Sequence, residues 1–447
     1  MSKRPPNKGP AAKSYTALQR WNELKARRNG FLRRVENYAA VTIPKVCLPD
    51  GITQESESIQ HDWQSVGAQA VNHLLNKLML AMFSPSHPFF RLDPDPDFAK
   101  QLAAQGVTEE QLREGLVGGE QRAIRVLDQK AIRPKLYETL RHLIITGNVI
   151  LDLTDKDAAR VIGIKRYVAK RSVSGRLVEF LIHERVLFDE LEDDVKAAVP
   201  SRQPDTEVDF IRWYKWDGKS RKWKLTQHVA EKQLPAEFDH SWSEDDFPVH
   251  VLVWDLADEH NYGTGLVEEY AGDFGTLSTL SEAEVKAAIL ASDYRWLVNP
   301  SGITDINDFK NSNTGDAISG KKEDLTLVTL VGQGALEQVG KSAEKFIRRI
   351  GMAFLLGTAV TRDAERVTAE EIRMQANELE TALGGVYSRL AVDLQLPLAS
   401  WLLKDINVDI KGTRLVPTIV TGLAALSRNA DATALSLWLQ DLAAVAT

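Results

Sequence analysis

Residues 264–292, TGLVEEYAGDFGTLSTLSEAEVKAAILAS, decide the fold. Leu266, Tyr270, Phe274, Leu277, Ser281, Glu284, Ala288 and Ala291 recur at steps of four and three, a heptad-like stripe that predicts a long helix with small or polar residues at its far end. Residues 293–332 are rich in Asn, Gly, Asp and Ser, with Leu325 to Leu330 as the clearest strand, and a second helix over about 335–356 returns from this small β insert. Residues 357–367, GTAVTRDAERV, then break the pattern: Arg362, Asp363, Glu365 and Arg366 stand there with no apolar period. Thr368 opens another helix through a capping box with Glu371, and Ile372, Leu379, Leu383, Val386, Leu390 and Leu394 carry it to Pro397. That predicts roughly 43 Å of rod at about 1.5 Å per residue. Shorter helices follow, around Trp438. The order helix, β insert, helix, charged loop, long helix matches no enzyme fold that we can derive.

Upstream, residues 1–13 are Lys, Pro, Gly and Ala rich and predict a disordered basic arm. Ser14 is a plausible N-cap for an amphipathic helix carrying Tyr15, Leu18, Trp21, Leu24, Phe31, Val35 and Tyr38, with Gly30 a candidate interruption. A second helix spans about 63–83 and stops at Ser84 and Pro85; a third opens with Thr108 and Gln111; a fourth has Pro134 in its first turn and ends at Gly147. The period then falls to two, predicting strands at 149–153, 161–170, 177–182, 208–216, 223–228 and 249–254, with Ser174-Gly175 and Asp217-Gly218 as hairpin turns. The whole reads as a mostly helical α+β chain, residues 14–263 forming one α+β block.

Composition narrows the function. With 43% hydrophobic residues the chain can bury its own core; one cysteine, Cys47, and nine histidines show no metal-ligand or disulfide spacing, so no cofactor, metal or catalytic site is expected. No signal peptide and no membrane span is expected either, for lack of a long apolar run. The net charge of -7 divides unevenly: ten Lys/Arg against two Glu give residues 1–40 a balance of +8, leaving -15 for the rest. Such a surface repels phosphates rather than gripping them along its length.

Several motifs imitate active sites. Gly334 and Gly340 enclose five residues where a phosphate-binding loop needs four, so ATP binding is not expected. Asp93, Asp95 and Asp97 alternate with prolines and lack the turn of a calcium loop. The neighbouring pairs His183 and Glu184, and His240 with Glu244, have no third group or nucleophile beside them. Two readings of the basic arm stay open, a solvated tail or an arm touching DNA or the inner capsid. Composition alone makes Arg362, Asp363, Glu365 and Arg366 an ordinary polar connection.

Residues 362–398, RDAERVTAEEIRMQANELETALGGVYSRLAVDLQLPL, closely resemble the portal (head-to-tail connector) proteins of podoviruses of the autographivirus type. Residues 65–83, 262–277, NPSGIT at 299–304 and TGDAISG at 314–320 are similar to the corresponding parts of that family, collinearly from about residue 15 to about 425. The resemblance implies a portal fold: wing (14–263), stem helices (264–292 and 333–356), clip (293–332), tunnel loop (357–367) and crown (368–447). It implies a virion protein made in the host cytoplasm, a ring of about twelve subunits around a channel for double-stranded DNA. The terminase large subunit would dock during packaging and a tail adaptor afterwards, with the major capsid, scaffolding and internal core proteins as further partners. Many relatives carry a Gln, Ala, Met and Gly rich tail beyond the crown, which these 447 residues do not contain.

On this view the protein performs no covalent chemistry. In 264–292, Glu268, Glu269, Asp273, Glu282 and Glu284 against Lys286 give -4 per subunit, and those facing the channel would centre DNA by repulsion. Arg362 and Arg366, balanced by Asp363 and Glu365, would be the weak phosphate contact of the tunnel loop. Ring assembly is expected to use apolar faces such as Leu379, Leu383, Leu390 and Leu394. The rival readings are a tail adaptor and a nucleotide-binding component of the packaging motor.

Overall fold

A computed structural model describes residues 16–53, 55–56, 59, 61–84, 88–292, 294–329, 333–356, 378–379, 381–406, 408 and 415–419. The basic arm, the loop with Arg362, Asp363, Glu365 and Arg366, the Thr368–Glu371 box and the helices around Trp438 lie outside the described residues.

Helix α1 (Ala17–Ala40) is capped by Thr16, not Ser14: the Thr16 hydroxyl accepts from the Gln19 N–H, and the Gln19 side chain returns to the Thr16 N–H. The box requires Gln three residues on, and only Thr16 has it. Gly30 does not interrupt the helix. Helices α2 (Val66–Met82), α4 (Glu109–Gln129) and α5 (Ile132–Thr146) follow the expected boundaries, and the Thr108–Gln111 box forms. Strand β1 (Phe90–Pro94) leads into α3 (Pro96–Ala104), where Asp95 is an N-cap accepting from the Asp97 N–H at 2.9 Å, so the DPDPD run starts a helix. Leu74, Leu78, Leu140 and Ile144 lie in the central core that α2 and α5 share.

The β block divides into two antiparallel sheets. Strands β2 (Asn148–Asp152) and β3 (Arg160–Gly163) form one with β10 (Val249–Val253), in the order β10-β2-β3. The other runs β4 (Tyr167–Arg171), β5 (Leu177–Leu187), β6 (Glu207–Asp217), β7 (Lys222–Val229) and β8 (Lys232–Gln233), with β9 (His240–Ser243) also on β7 and α6 (Asp193–Ala198) between β5 and β6. The expected single strand 161–170 is thus two. A 3₁₀ turn at Ile164–Arg166 passes the chain from one sheet to the other, and the buried Arg28 of α1 donates to the Ile164 and Tyr167 carbonyls at that corner. Carbonyls that leave a ladder need another donor. In the larger sheet Phe180 stacks on Tyr214 at 4.5 Å, and Trp223 on Phe247 at 4.8 Å.

The decisive stretch forms α7 (Leu266–Glu269) and α8 (Ala271–Ser292), separated at Tyr270 rather than continuous. Strand β11 (Tyr294–Val298), helix α9 (Ile306–Asn311) and strand β12 (Leu325–Thr329) make the insert, β11 and β12 pairing antiparallel from Tyr294↔Thr329 to Val298↔Leu325. Helix α10 (Gln333–Ala353) returns. The expected straight rod to Pro397 is not seen over its described part. Gly384, at φ +51°, breaks the helix before α11 (Gly385–Leu390), and a π turn (Ala391–Gln395) joins α11 to α12 (Leu396–Asp405). Pro397 therefore starts a helix segment instead of ending one, the position at which a missing N–H is tolerated. Strand β13 (Leu415–Ile419) pairs with β1. Leu379, Leu390 and Leu394 are buried and Leu383 packs against the same core, so these side chains fill the chain's own interior instead of presenting an assembly face.

Candidate functional site

The helix pair α8 and α10, with α7 before it and the β insert between the two, holds the acids expected along a channel. The helices run antiparallel: Phe274 meets Phe354 at 5.6 Å between ring centroids, Asp273 meets Arg349 at 3.0 Å, and a Cβ on Gly340 would lie 3.8 Å from Glu284 Oε1. Phe274, Leu277, Ala343, Ile350 and Phe354 are buried along the seam. Gly334 and Gly340 are both helical residues of α10, so their N–H groups do not form a phosphate loop.

The five expected stem acids have different surroundings. Glu268 is held by Arg34 of α1 at 3.1 Å, Asp273 by Arg349, and Glu282 by Lys286 at 2.6 Å. Glu269 borders a cleft of about 560 Å³ with Tyr270, Asp273, Arg349 and Met352; burial, and then the Asp255 charge, raise its carboxyl above the ordinary value. Glu284 is exposed beside Gly340. Helix α10 also changes the charge count. Glu337 and Glu344 against Lys341, Lys345, Arg348 and Arg349 give +2 over 333–353, so with -4 over 264–292 the pair carries -2.

In the insert, Asp324 is a hub that pattern reading missed. Its carboxylate accepts from the Ile303 N–H at 2.9 Å, the Thr304 N–H at 3.2 Å and the Thr304 hydroxyl at 2.9 Å. Any Cβ on Gly302 would sit 2.5 Å from that carboxyl carbon, which explains the glycine in NPSGIT. The signal was present in the sequence only as a motif without a structural reason. Trp296, Leu297, Ile303, Ile306 and Ile318 of the insert are exposed.

The imitated active sites dissolve into structural pairs. His183 Nε2 lies 2.7 Å from Asp209, Glu184 is bound by Arg160, Arg166 and Arg212, and Glu244 pairs with Arg176 at 2.9 Å. Among the described residues no three His, Cys, Asp or Glu gather as metal ligands, and no helix is long and apolar enough to cross a membrane.

A family model described as bacteriophage head to tail connecting protein matches residues 14–447. The chain belongs to this family. The portal protein of Enterobacteria phage SP6 is 33% identical over 417 residues, covering 92% of this chain and 80% of the relative. That of Escherichia phage T7 is 32% identical over 425 residues, covering 92% and 79%, and that of Pseudomonas phage phiKMV 30% over 437 residues, covering 93% and 82%. In coordinates, a chain from the neck of an empty GTA particle is distantly similar, with a TM-score of 0.42 at 12% identity over 85% of this chain and 86% of that one. The chain is accordingly a head-to-tail connector of the podovirus type with a structural role, a virion component at the capsid vertex.

Proposed function

We propose that about twelve copies close into a ring at one capsid vertex and that double-stranded DNA moves through its axis, inward during packaging and outward during ejection. The wing is then 14–263, the stem 264–292 with 333–356, the clip 293–332, the tunnel loop 357–367 and the crown 368–447. The observation that carries this reading is the antiparallel α8–α10 pair closed by the β11–β12 insert, in a chain matched to connectors over 14–447.

The connector is a conduit and performs no covalent step. Its terminase large subunit docks at the clip during packaging, and the tail adaptor follows; exposed Trp296, Leu297 and Ile303 support a protein contact there, since large apolar side chains left in water favour cover. Major capsid, scaffolding and internal core proteins complete the partners. Sliding requires shallow wells for phosphate. Glu284 is the stem acid best placed to repel DNA, while Glu268, Asp273 and Glu282 have in-chain cations to offset them. Arg362 and Arg366, balanced by Asp363 and Glu365, supply weak contact in the tunnel loop. Electron microscopy of the purified chain viewed down the particle axis tests the reading, together with native mass measurement. Closed rings without DNA are expected; monomers alone at micromolar concentration would overturn it.

A further inference from the structure

The exposed face of α10 carries a charge pattern to which the conduit reading assigns no role. Steps of four and three residues put Lys341, Lys345 and Arg348 on one strip of the helix, and all three are exposed. Ala343, Ile350 and Phe354, buried in the core, lie on its opposite side. Lys341 has Glu337 one turn away at 2.6 Å. Lys345 and Arg348 have no carboxylate within salt-bridge distance among the described residues. Their neighbour Arg349 differs, being held by Asp273 at 3.0 Å.

We propose that Lys345 and Arg348, with Lys341 beside them, form a phosphate-binding strip that faces the duplex in the ring. The proposal rests on the conduit reading and adds to it the helix that touches DNA. Three cations from 341 to 348 span roughly 10 Å at about 1.5 Å per residue. One DNA strand places about three phosphates in that length, at about 3.4 Å each.

A second copy of this chain is the competing occupant, and charge argues against it. The acids that a neighbouring stem would offer are largely engaged: Glu268 with Arg34, Asp273 with Arg349, Glu282 with Lys286. Exposed apolar side chains stand on both helices, Val285, Ile289 and Leu290 on α8 and Ile347 and Met352 on α10, so apolar cover does not single out the strip and its cations choose the occupant. Glu337 and Glu344 flank the strip on α10 and keep the hold on each phosphate shallow, as transit demands.

The test uses full-length rings of wild type and of the double variant Lys345→Gln/Arg348→Gln, with a short labelled duplex titrated at several salt concentrations. Rings of unchanged size are expected, with DNA binding about tenfold weaker at low salt and a log–log salt slope shallower by about 0.9 for each phosphate that is no longer neutralised. The charge-keeping variant Lys345→Arg/Arg348→Lys should bind like wild type. Equal affinity and slope for the Gln variant would overturn the strip, and so would dissociated rings, which would make it an interface between copies. Wild-type rings that bind no DNA under any salt condition would overturn the conduit reading itself.

Discussion

Lys77 on α2 and Glu378, 301 residues later, meet at 2.9 Å, with the lysine side chain only 3% exposed. One turn before Lys77, the His73 ring bonds the backbone of Leu355, a residue at φ +58° just beyond α10. A single face of α2 therefore holds positions on both sides of 357–377. Replacing Glu378 takes a charged hydrogen-bond acceptor from the buried Lys77 ammonium, so Glu378→Gln should lower unfolding stability by about 1.5 to 3 kcal/mol. In a Lys77→Met background the same replacement should cost clearly less, because the cation it serves is gone. Denaturant unfolding of the single and double variants checks this; a single variant within about 0.5 kcal/mol of wild type would show that the pair holds nothing.

What was legible in the sequence was mostly local. The Thr108–Gln111 box, the stop at Gly147, the turn at Gly175 and the antiparallel strands each depend on neighbours in the chain, so period and capping chemistry suffice to see them. Features set from a distance were not legible. Arg28 reaches a corner 136 residues away, splitting a predicted strand between two sheets. Arg34 of α1 offsets Glu268, which a count along one helix treats as free negative charge. The π turn before Pro397 likewise has no signature in apolar spacing, although Gln395 within it donates to the Met82 carbonyl of α2 at 2.7 Å.

Arg212 of β6 joins the two sheets, bonding Asp152 of β2 at 2.7 Å and Glu184 of β5 at 3.3 Å. Burial opposes ionisation of both acids, but the Arg212 charge and the hydrogen bonds around them hold both carboxyls below their ordinary values of 3.8 and 4.5. Depressed carboxylates contribute stability in full above those ordinary values and lose it as pH falls through the folded-state ones. Arg212→Leu should cost about 3 to 5 kcal/mol at pH 7, because two buried acids lose their shared cation. The deficit should narrow on acidification, as protonation removes the charge left on Asp152, while Glu184 keeps Arg160 and Arg166. Denaturant titrations at neutral and acid pH decide it, and a deficit independent of pH would refute the account.

Cys47 is the single cysteine, and burial pushes its thiol up to about 12. The thiolate is the reactive form, so the native protein should resist alkylation near pH 8 and react stoichiometrically once denatured. Timed thiol titration with and without denaturant measures this. Rapid labelling of the native protein would mean that the packing between α1 and the loop after it opens readily.

Gly147 packs where the α+β block hands the chain to α7 and α8. It ends α5 at φ +71°, and a Cβ there would lie 2.4 Å from the Thr264 carbonyl carbon and 2.5 Å from the Gly265 nitrogen. The adjacent Asn148 side chain fastens the same crossing, donating to the Gly263 carbonyl at 2.6 Å and accepting from the Gly263 N–H at 2.8 Å. Gly147→Ala combines left-handed strain with a clash against backbone that has no side-chain freedom to yield, and should cost on the order of 3 kcal/mol. Because the crossing sets the direction in which α7 and α8 leave the block, the variant should also form fewer closed rings. Gly30→Ala is the contrasting case: nothing lies within 4 Å of its added Cβ in mid-helix, so a gain of up to about 1 kcal/mol is expected. Melting curves and particle counts for the two variants separate a built junction from a general intolerance of alanine. Rings from Gly147→Ala as numerous and as stable as wild type would show that the junction does not fix the stem.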